Sequence, residues 1–370
     1  MTKNLRRWLL LGTLVAIVPL VLAACGDDDD DDDGGNDPVP TSTTAPDNSD
    51  EPTATSEPED EGDDDQTTSW EGTTLNFGIL PSEDQQTARE NNEVLAAFLE
   101  EQLPGLDVTI FVGPAYAAVI ESMKSDDVDF AYFGPFSYFI ARQTGAGAVA
   151  AIAFSNPGGA EPGYYSVFYA RNDTGITSLE DLAGREGDFD YAFVDPGSTS
   201  GNLAPHAMLY EAGLDVATID ANSRFAGGHD KTAIATGDGQ IQVAPSYEEM
   251  IYEQCELGTI PGVKDLVGGG QFPGDCGDPD ADGALVLLQK FLLPASPISY
   301  RDDMDPELRE AVVNAILDWP SLDRESFERW AEASDSGQDG VVMVPYGPEN
   351  YTQIEEMCSR EELKDICPTG

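Results

Sequence analysis

The chain has 370 residues, 70 of them acidic against 18 Lys and Arg, for a formal charge of -52 at neutral pH. That charge excludes nucleic acid and anionic lipid headgroups as ligands, because the counterion-release contribution would have the wrong sign. Past the first 66 residues, roughly 300 remain, more than one compact core readily takes and well suited to two lobes.

The chain opens with Lys3, Arg6 and Arg7, continues with an apolar run at 8–21, and reaches Leu22-Ala23-Ala24-Cys25. The run is short for a membrane span and ends in small residues, so it predicts a removed signal, 1–24. It resembles a bacterial lipoprotein signal with its lipobox. That resemblance implies lipidation of Cys25 and an extracytoplasmic protein held on the cell membrane by its lipid anchor, at the cell surface or in the periplasm. Residues 26–66 hold 18 acids and no base. The whole stretch 25–72 is therefore expected to be a disordered, self-repelling linker. Its Asp27 to Asp33 run lacks the spacing of a metal site; no metal and no cofactor is expected. With that linker and the three signal bases set aside, residues 67 onward still carry about -37. A bound anion would have to be held by local donors.

From residue 74 the hydrophobic pattern alternates between strand and helix. It predicts strands at 75–80, 108–112 and 128–133 and helices at 85–102, 115–123 and 135–144. A strand at 165–170 opens a second set, with a short helix at 179–183, a strand at 191–194, a helix at about 202–212 and a strand near 241–244. A loop through Gly268-Gly269-Gly270 and Cys276 leads to a strand at 285–288 and a helix at 306–317. This is α/β material with largely parallel sheets, two lobes and a hinge. The expected division is 73–168 for the first part of lobe 1, 169–282 for lobe 2, and 283–370 for the rest of lobe 1 with a C-terminal extension. Cys255, Cys276, Cys358 and Cys367 are even in number and suit an oxidising compartment. Of the three possible pairings we expect the local one, Cys255 with Cys276 and Cys358 with Cys367.

Between the 191–194 strand and the next helix lies Asp195-Pro196-Gly197-Ser198-Thr199-Ser200-Gly201. Three hydroxyls beside a helix start read either as an anion cradle or as an N-cap with a turn before it. A strand precedes the turn, which places it at the cleft, where open α/β sheets bind ligands.

Taken in order, Tyr116-Ala117-Ala118-Val119-Ile120, the run Asp129 to Pro135, the run Ser178 to Gly184, the run Asp195 to Gly201 and Gly228-His229-Asp230 resemble the PhnD family. Its members are substrate-binding proteins of phosphate, phosphite and phosphonate ABC importers, and the resemblance covers about 75–322. It implies a two-lobed type II periplasmic-binding-protein fold that closes over a small phosphorus oxyanion. It further implies delivery to a permease and ATPase complex, by a protein that we expect to be a monomer. The matching positions make Ser198, Thr199, Ser200 and Gly201 the phosphoryl cradle and His229 a donor to it. Tyr116 would close from the opposite lobe, with Phe133 as a wall. In aminoethylphosphonate binders of the family two carboxylates take the ammonium. Here Glu248, with Glu249 beside it, matches one region, and Ser296 stands at the other. The expected order therefore places phosphate, phosphite or a small alkylphosphonate above aminoethylphosphonate. His206 has no counterpart and reads as structural.

No enzyme is expected. Gly197 to Gly201 sets Thr199 where a Gly-x-Ser-x-Gly elbow needs serine, and neither a metal-ligand pattern nor a Gly-x-x-x-x-Gly-Lys loop occurs. The alternatives are a ligand-sensing module for a membrane receptor and, behind it, a phosphoester hydrolase.

Overall fold

The computed structural model describes residues 69–272, 274–333 and 340–368. The signal, Cys25 and all but the last four residues of the linker lie outside them. The chain builds β1 (Thr73–Ile79), α1 (Gln85–Gln102), β2 (Leu106–Val112), α2 (Tyr116–Lys124), β3 (Phe130–Tyr132), α3 (Pro135–Gln143) and β4 (Ala148–Phe154). It then lays down β5 (Tyr164–Arg171), β6 (Tyr191–Phe193), α4 (Ala204–Glu211), α5 (Val216–Ala221), β7 (Ser223–Phe225), α6 (His229–Gly237) and β8 (Val243–Tyr247). After α7 (Glu248–Leu257), β9 (Gly262–Asp265), β10 (Cys276–Gly277) and β11 (Leu285–Leu293), it returns through β12 (Ile298–Arg301), α8 (Pro306–Leu322), α9 (Arg324–Ala333), β13 (Met343–Pro345) and α10 (Thr352–Ser359).

Two sheets result, ordered β13-β4-β12-β3-β1-β2 and β10-β9-β11-β5-β8-β6-β7. The expected parallel pairing holds for β2-β1-β3 and β7-β6-β8. Elsewhere the sheets are mixed: β12 and β13 pair antiparallel with β4, and β5 pairs antiparallel with both β8 and β11. A chain that crosses between sheets twice enters and leaves in opposite directions, which forces these pairings. Both crossing strands, β5 and β11, belong wholly to the second sheet. The crossings thus fall at 155–163 and 294–297, somewhat displaced from the expected edges after 168 and 282.

Packing follows the apolar pattern. Asp84 caps α1 by accepting the Gln86 and Thr87 N–H groups, and Ala88, Leu95, Ala96 and Leu99 on its inner face join the first core. In that core Trp319 lies stacked between Phe98 and Trp330, ring centroids 4.2 and 4.9 Å away. Trp70, at the end of the linker, packs against the same cluster. The second sheet is covered on its two faces by separate clusters around Phe168 and Tyr169. Disulfides join Cys255 to Cys276 and Cys358 to Cys367, the local pairing. Among the described residues no helix is long and apolar enough to cross a membrane.

Candidate ligand-binding site

A cavity of about 170 Å³ lies between the sheets. Tyr116, Phe133, Ser198, Thr199, Ser200, His229, Glu248 and Ser296 all line it, so the structure brings together eight positions that were scattered over 180 residues of sequence. Gly201 does not reach the lining. Its N–H goes to Ser198 Oγ at 3.0 Å, and a Cβ at this position would sit 2.3 Å from Val194 Cγ2. Glycine is needed there for close approach under the turn. Ser198 is thus both N-cap and cavity wall. Thr199–Leu203 form a π-helical turn leading into α4, a geometry that widens the helix start and is frequent at functional sites.

Four other helices begin at this cavity, and none is capped by a side chain. The N-caps are Ala115 for α2, Gly134 for α3, Gly228 for α6 and Tyr247 for α7. The outer helices α1 and α8 are capped by Asp84 and Asp305. Uncapped N-termini leave N–H donors and a partial positive charge, roughly half an elementary charge each, directed at the cleft. Some of the first donors are bonded between the lobes. Phe136 N donates to Thr199 Oγ1 at 2.8 Å, His229 N donates to Ser82 O at 2.8 Å, and the Tyr116 N–H is turned to the Asp195 carboxylate. Asp195 also accepts Gly197 N at 2.8 Å. These bonds hold the lobes together over the cavity.

His229 is buried. Its Nδ1 lies 2.9 Å from Ser246 Oγ and its Nε2 3.3 Å from Ser198 Oγ, with Tyr247 edge-on to the ring at 4.7 Å. Burial pushes the imidazole down to about 3, so it is neutral at physiological pH. Burial likewise raises the Tyr116 hydroxyl, helped by the nearby Asp195 charge; the hydroxyl sits beside Ser198 and stays protonated. Tyr164, at the first position of β5, was missed by sequence reasoning. Its hydroxyl lies beside those of Ser200, Thr199 and Ser296, and burial pushes it up to about 12. Its only sequence signal was an aromatic at the start of a crossing strand. Glu83 was missed as well. It lines the cavity, accepts from Asn91 Nδ2 at 3.0 Å, and is pushed up to about 7 by burial and by the negative charges of Glu253, Asp230 and Asp84.

Among the described residues the lining contains no Lys or Arg, and its acids are Glu83, Glu248 and Glu249. Each oxygen of Glu248 has a partner: Lys290 Nζ donates to Oε1 at 2.7 Å and Gln271 N donates to Oε2 at 2.8 Å. His206 stays out of the cavity. It is buried against Phe193, with its nitrogens at 2.8 Å from Asn202 O and 3.0 Å from Asp220 Oδ1, in keeping with a structural role. No group of His, Cys, Asp and Glu that could hold a metal occurs among the described residues.

Two α/β lobes thus flank a cavity lined by hydroxyls and helix N-termini, the architecture of a two-lobed binding protein. Residues 77–337 match the family model described as "ABC transporter, phosphonate, periplasmic substrate-binding protein", and the chain belongs to that family. Its members are the substrate-binding proteins of transporters and not enzymes. The chain is 35% identical over 195 residues to the phosphate-import protein PhnD of Mycolicibacterium smegmatis, a match spanning 50% of this chain and 59% of that protein. It is 26% identical over 273 residues to the phosphonates-binding periplasmic protein of Escherichia coli, spanning 73% and 74%. In structure it is similar to a binding-protein component of an ABC phosphonate transporter from Pseudomonas aeruginosa, with a TM-score of 0.62, 22% identity and coverage of 77% and 85%.

Proposed function

We propose that the protein captures a small phosphorus oxyanion, namely phosphate, phosphite or a phosphonate, outside the cytoplasm and delivers it to the permease and ATPase of an ABC importer. The observation that carries this reading is a cavity between the lobes with several uncapped helix starts, the Ser198-Thr199-Ser200 turn and a neutral His229, and with no cationic side chain among the described residues of its lining. The names of the mycobacterial and E. coli relatives support the same ligand chemistry. Ser198, Thr199, Ser200 and His229 would hold the oxygens from lobe 2, while Tyr116 meets them from lobe 1 and Phe133 walls the site. Tyr164 joins this set through its place beside Ser200 and Thr199. In the tautomer where Ser246 Oγ donates to Nδ1, His229 offers its Nε2–H on the side of Ser198, where an anion would lie. Closure removes water, and each charge-assisted hydrogen bond gains strength in the drier site. Lipidated Cys25 would tether a monomer to the membrane through the acidic linker.

A thermal-shift screen with phosphate, phosphite, methylphosphonate and sulfate tests this. A ligand at 100 times its dissociation constant stabilises by about 2.7 kcal/mol, so at least one phosphorus compound should raise the melting temperature by several degrees. No shift with any of the three phosphorus oxyanions overturns the reading.

A further inference from the structure

Glu248 carries the carboxylate that the sequence offered to a cationic ligand end, yet where it lines the cavity both its oxygens are bonded to groups of lobe 2. Lys290 Nζ donates to Glu248 Oε1 at 2.7 Å, to Asp265 Oδ2 at 3.0 Å and to Gly269 O at 3.0 Å. The side chains of Glu248 and Asp265 are 0% exposed and that of Lys290 only 4%. Gly270, at φ +77°, is pressed against the carboxylate, and a Cβ there would sit 2.3 Å from Oε1. An ammonium entering the cavity would therefore meet a carboxylate already holding an ammonium, with the Lys290 charge opposing it at short range.

We propose that Lys290 is a specificity-determining positioning residue: by holding Glu248 it withholds that carboxylate from the ligand, so this wall gives an ammonium-bearing phosphonate no advantage over an uncharged one. The inference rests on the phosphorus-oxyanion reading above. What the wall presents instead is amide. Gln271, whose N–H the same Glu248 accepts, donates from Nε2 to Asn156 Oδ1 at 2.7 Å and to Gly163 O at 3.1 Å, and Gln271, Asn156 and Gly163 all line the cavity. The loop that carries Gln271 has further anchors. Asp265 accepts Val267, Gly268 and Gly274 N–H groups, Tyr252 Oη donates to Gly274 O, and Cys276 is tied to Cys255 on α7. Removing the Glu248 charge thus leaves the wall in place.

The test is calorimetric titration of 2-aminoethylphosphonate and its uncharged isostere, n-propylphosphonate, into wild type, Glu248→Gln, Lys290→Met and the double variant. The readout is the ratio of the two affinities, which a merely structural role would not move. Glu248→Gln should leave the ratio within about twofold, because the ligand does not use that charge. Lys290→Met should shift it toward the amine by about tenfold or more, the value of one charge-assisted hydrogen bond, and the double variant should return it to the wild-type ratio. If Glu248→Gln instead weakens only the amine, by about tenfold or more, Glu248 is a direct ligand and the proposal is overturned. An unchanged ratio in a folded Lys290→Met overturns it too; should that variant not fold, Glu248→Gln decides alone. Wild type binding neither compound overturns this proposal; the oxyanion reading falls with it only if phosphate, phosphite and methylphosphonate fail to bind as well.

Discussion

A neutral His229 is the residue on which the site's pH behaviour turns. Its imidazole, ordinarily near 6.5, is pushed down to about 3 by burial. Below 6.5 the unfolded chain binds a proton that the folded one refuses, so stability is present in full above that pH and is lost as pH falls toward 3. Glu83, raised from 4.5 to about 7, acts in the opposite sense: folding takes up its proton, and stability is lost as pH rises from 4.5 through 7. The two contributions oppose each other between pH 4.5 and 6.5, which hides both in a simple melting curve. Comparison with His229→Gln separates them, because Glu83 cancels in the difference. The stability of wild type relative to the variant should fall by about 1.4 kcal/mol per pH unit below 6.5, measured by urea unfolding. A difference independent of pH between 6 and 4 would mean that His229 is not buried as a neutral group.

Among the elements, the C-terminal segment is unlike the rest, for it lies past residue 337, where the family match ends. Ile354 and Met357 of α10, with Leu363 and Cys367, pack in one cluster with Phe136 and Phe139 of α3, with Leu203 of the π-helical turn and with Ala204 and Ala207 of α4. Arg142 pairs with Glu355 at 3.2 Å and Arg360 with Glu211 at 2.7 Å, so both lobes are held. Cys358 and Cys367 lie nine residues apart in sequence, a loop whose closure is worth about 2–3 kcal/mol. Replacing both by serine should lower stability by about that amount while urea unfolding stays a single transition, since the strap couples the lobes. Two separate transitions in wild type would refute the coupling. Elements of this kind were poorly legible in the sequence. The helix α1 could be read because Asp84 caps it and its apolar positions keep a helical period over 18 residues. The short β12 and β13 could not, because a three- or four-residue strand has no period of its own and is defined by its partners. The hydroxyl turn and its place at the cleft were legible for the same local reason as α1, being seven consecutive residues after a strand. Tyr164, Glu83 and the Lys290 clamp on Glu248 were not, because each depends on contacts across tens of residues.

For the molecule as a whole, charge and site pull in opposite directions. About -37 on residues 67 onward repels an approaching oxyanion at long range, while the proposed site would hold it with dipoles and hydrogen bonds that act only at contact. Basic anion-binding proteins are steered to their ligand by a field that salt weakens; here salt should help. Raising ionic strength from about 0.01 M to 0.1 M shortens the screening length from about 30 Å to about 10 Å and removes most of the repulsion. Dissociation begins with the anion in contact with its donors, where the long-range field contributes little, and should respond much less. The association rate of phosphate or methylphosphonate should therefore rise over this range while the dissociation rate stays nearly constant, giving tighter binding at higher salt. Stopped-flow fluorescence can follow it, because Trp330 Nε1 donates at 3.0 Å to Asn92 Oδ1, and Asn92 lines the cavity. An association rate that falls with salt would show that a local positive field, absent from the cavity lining, overrides the net charge and guides the anion in.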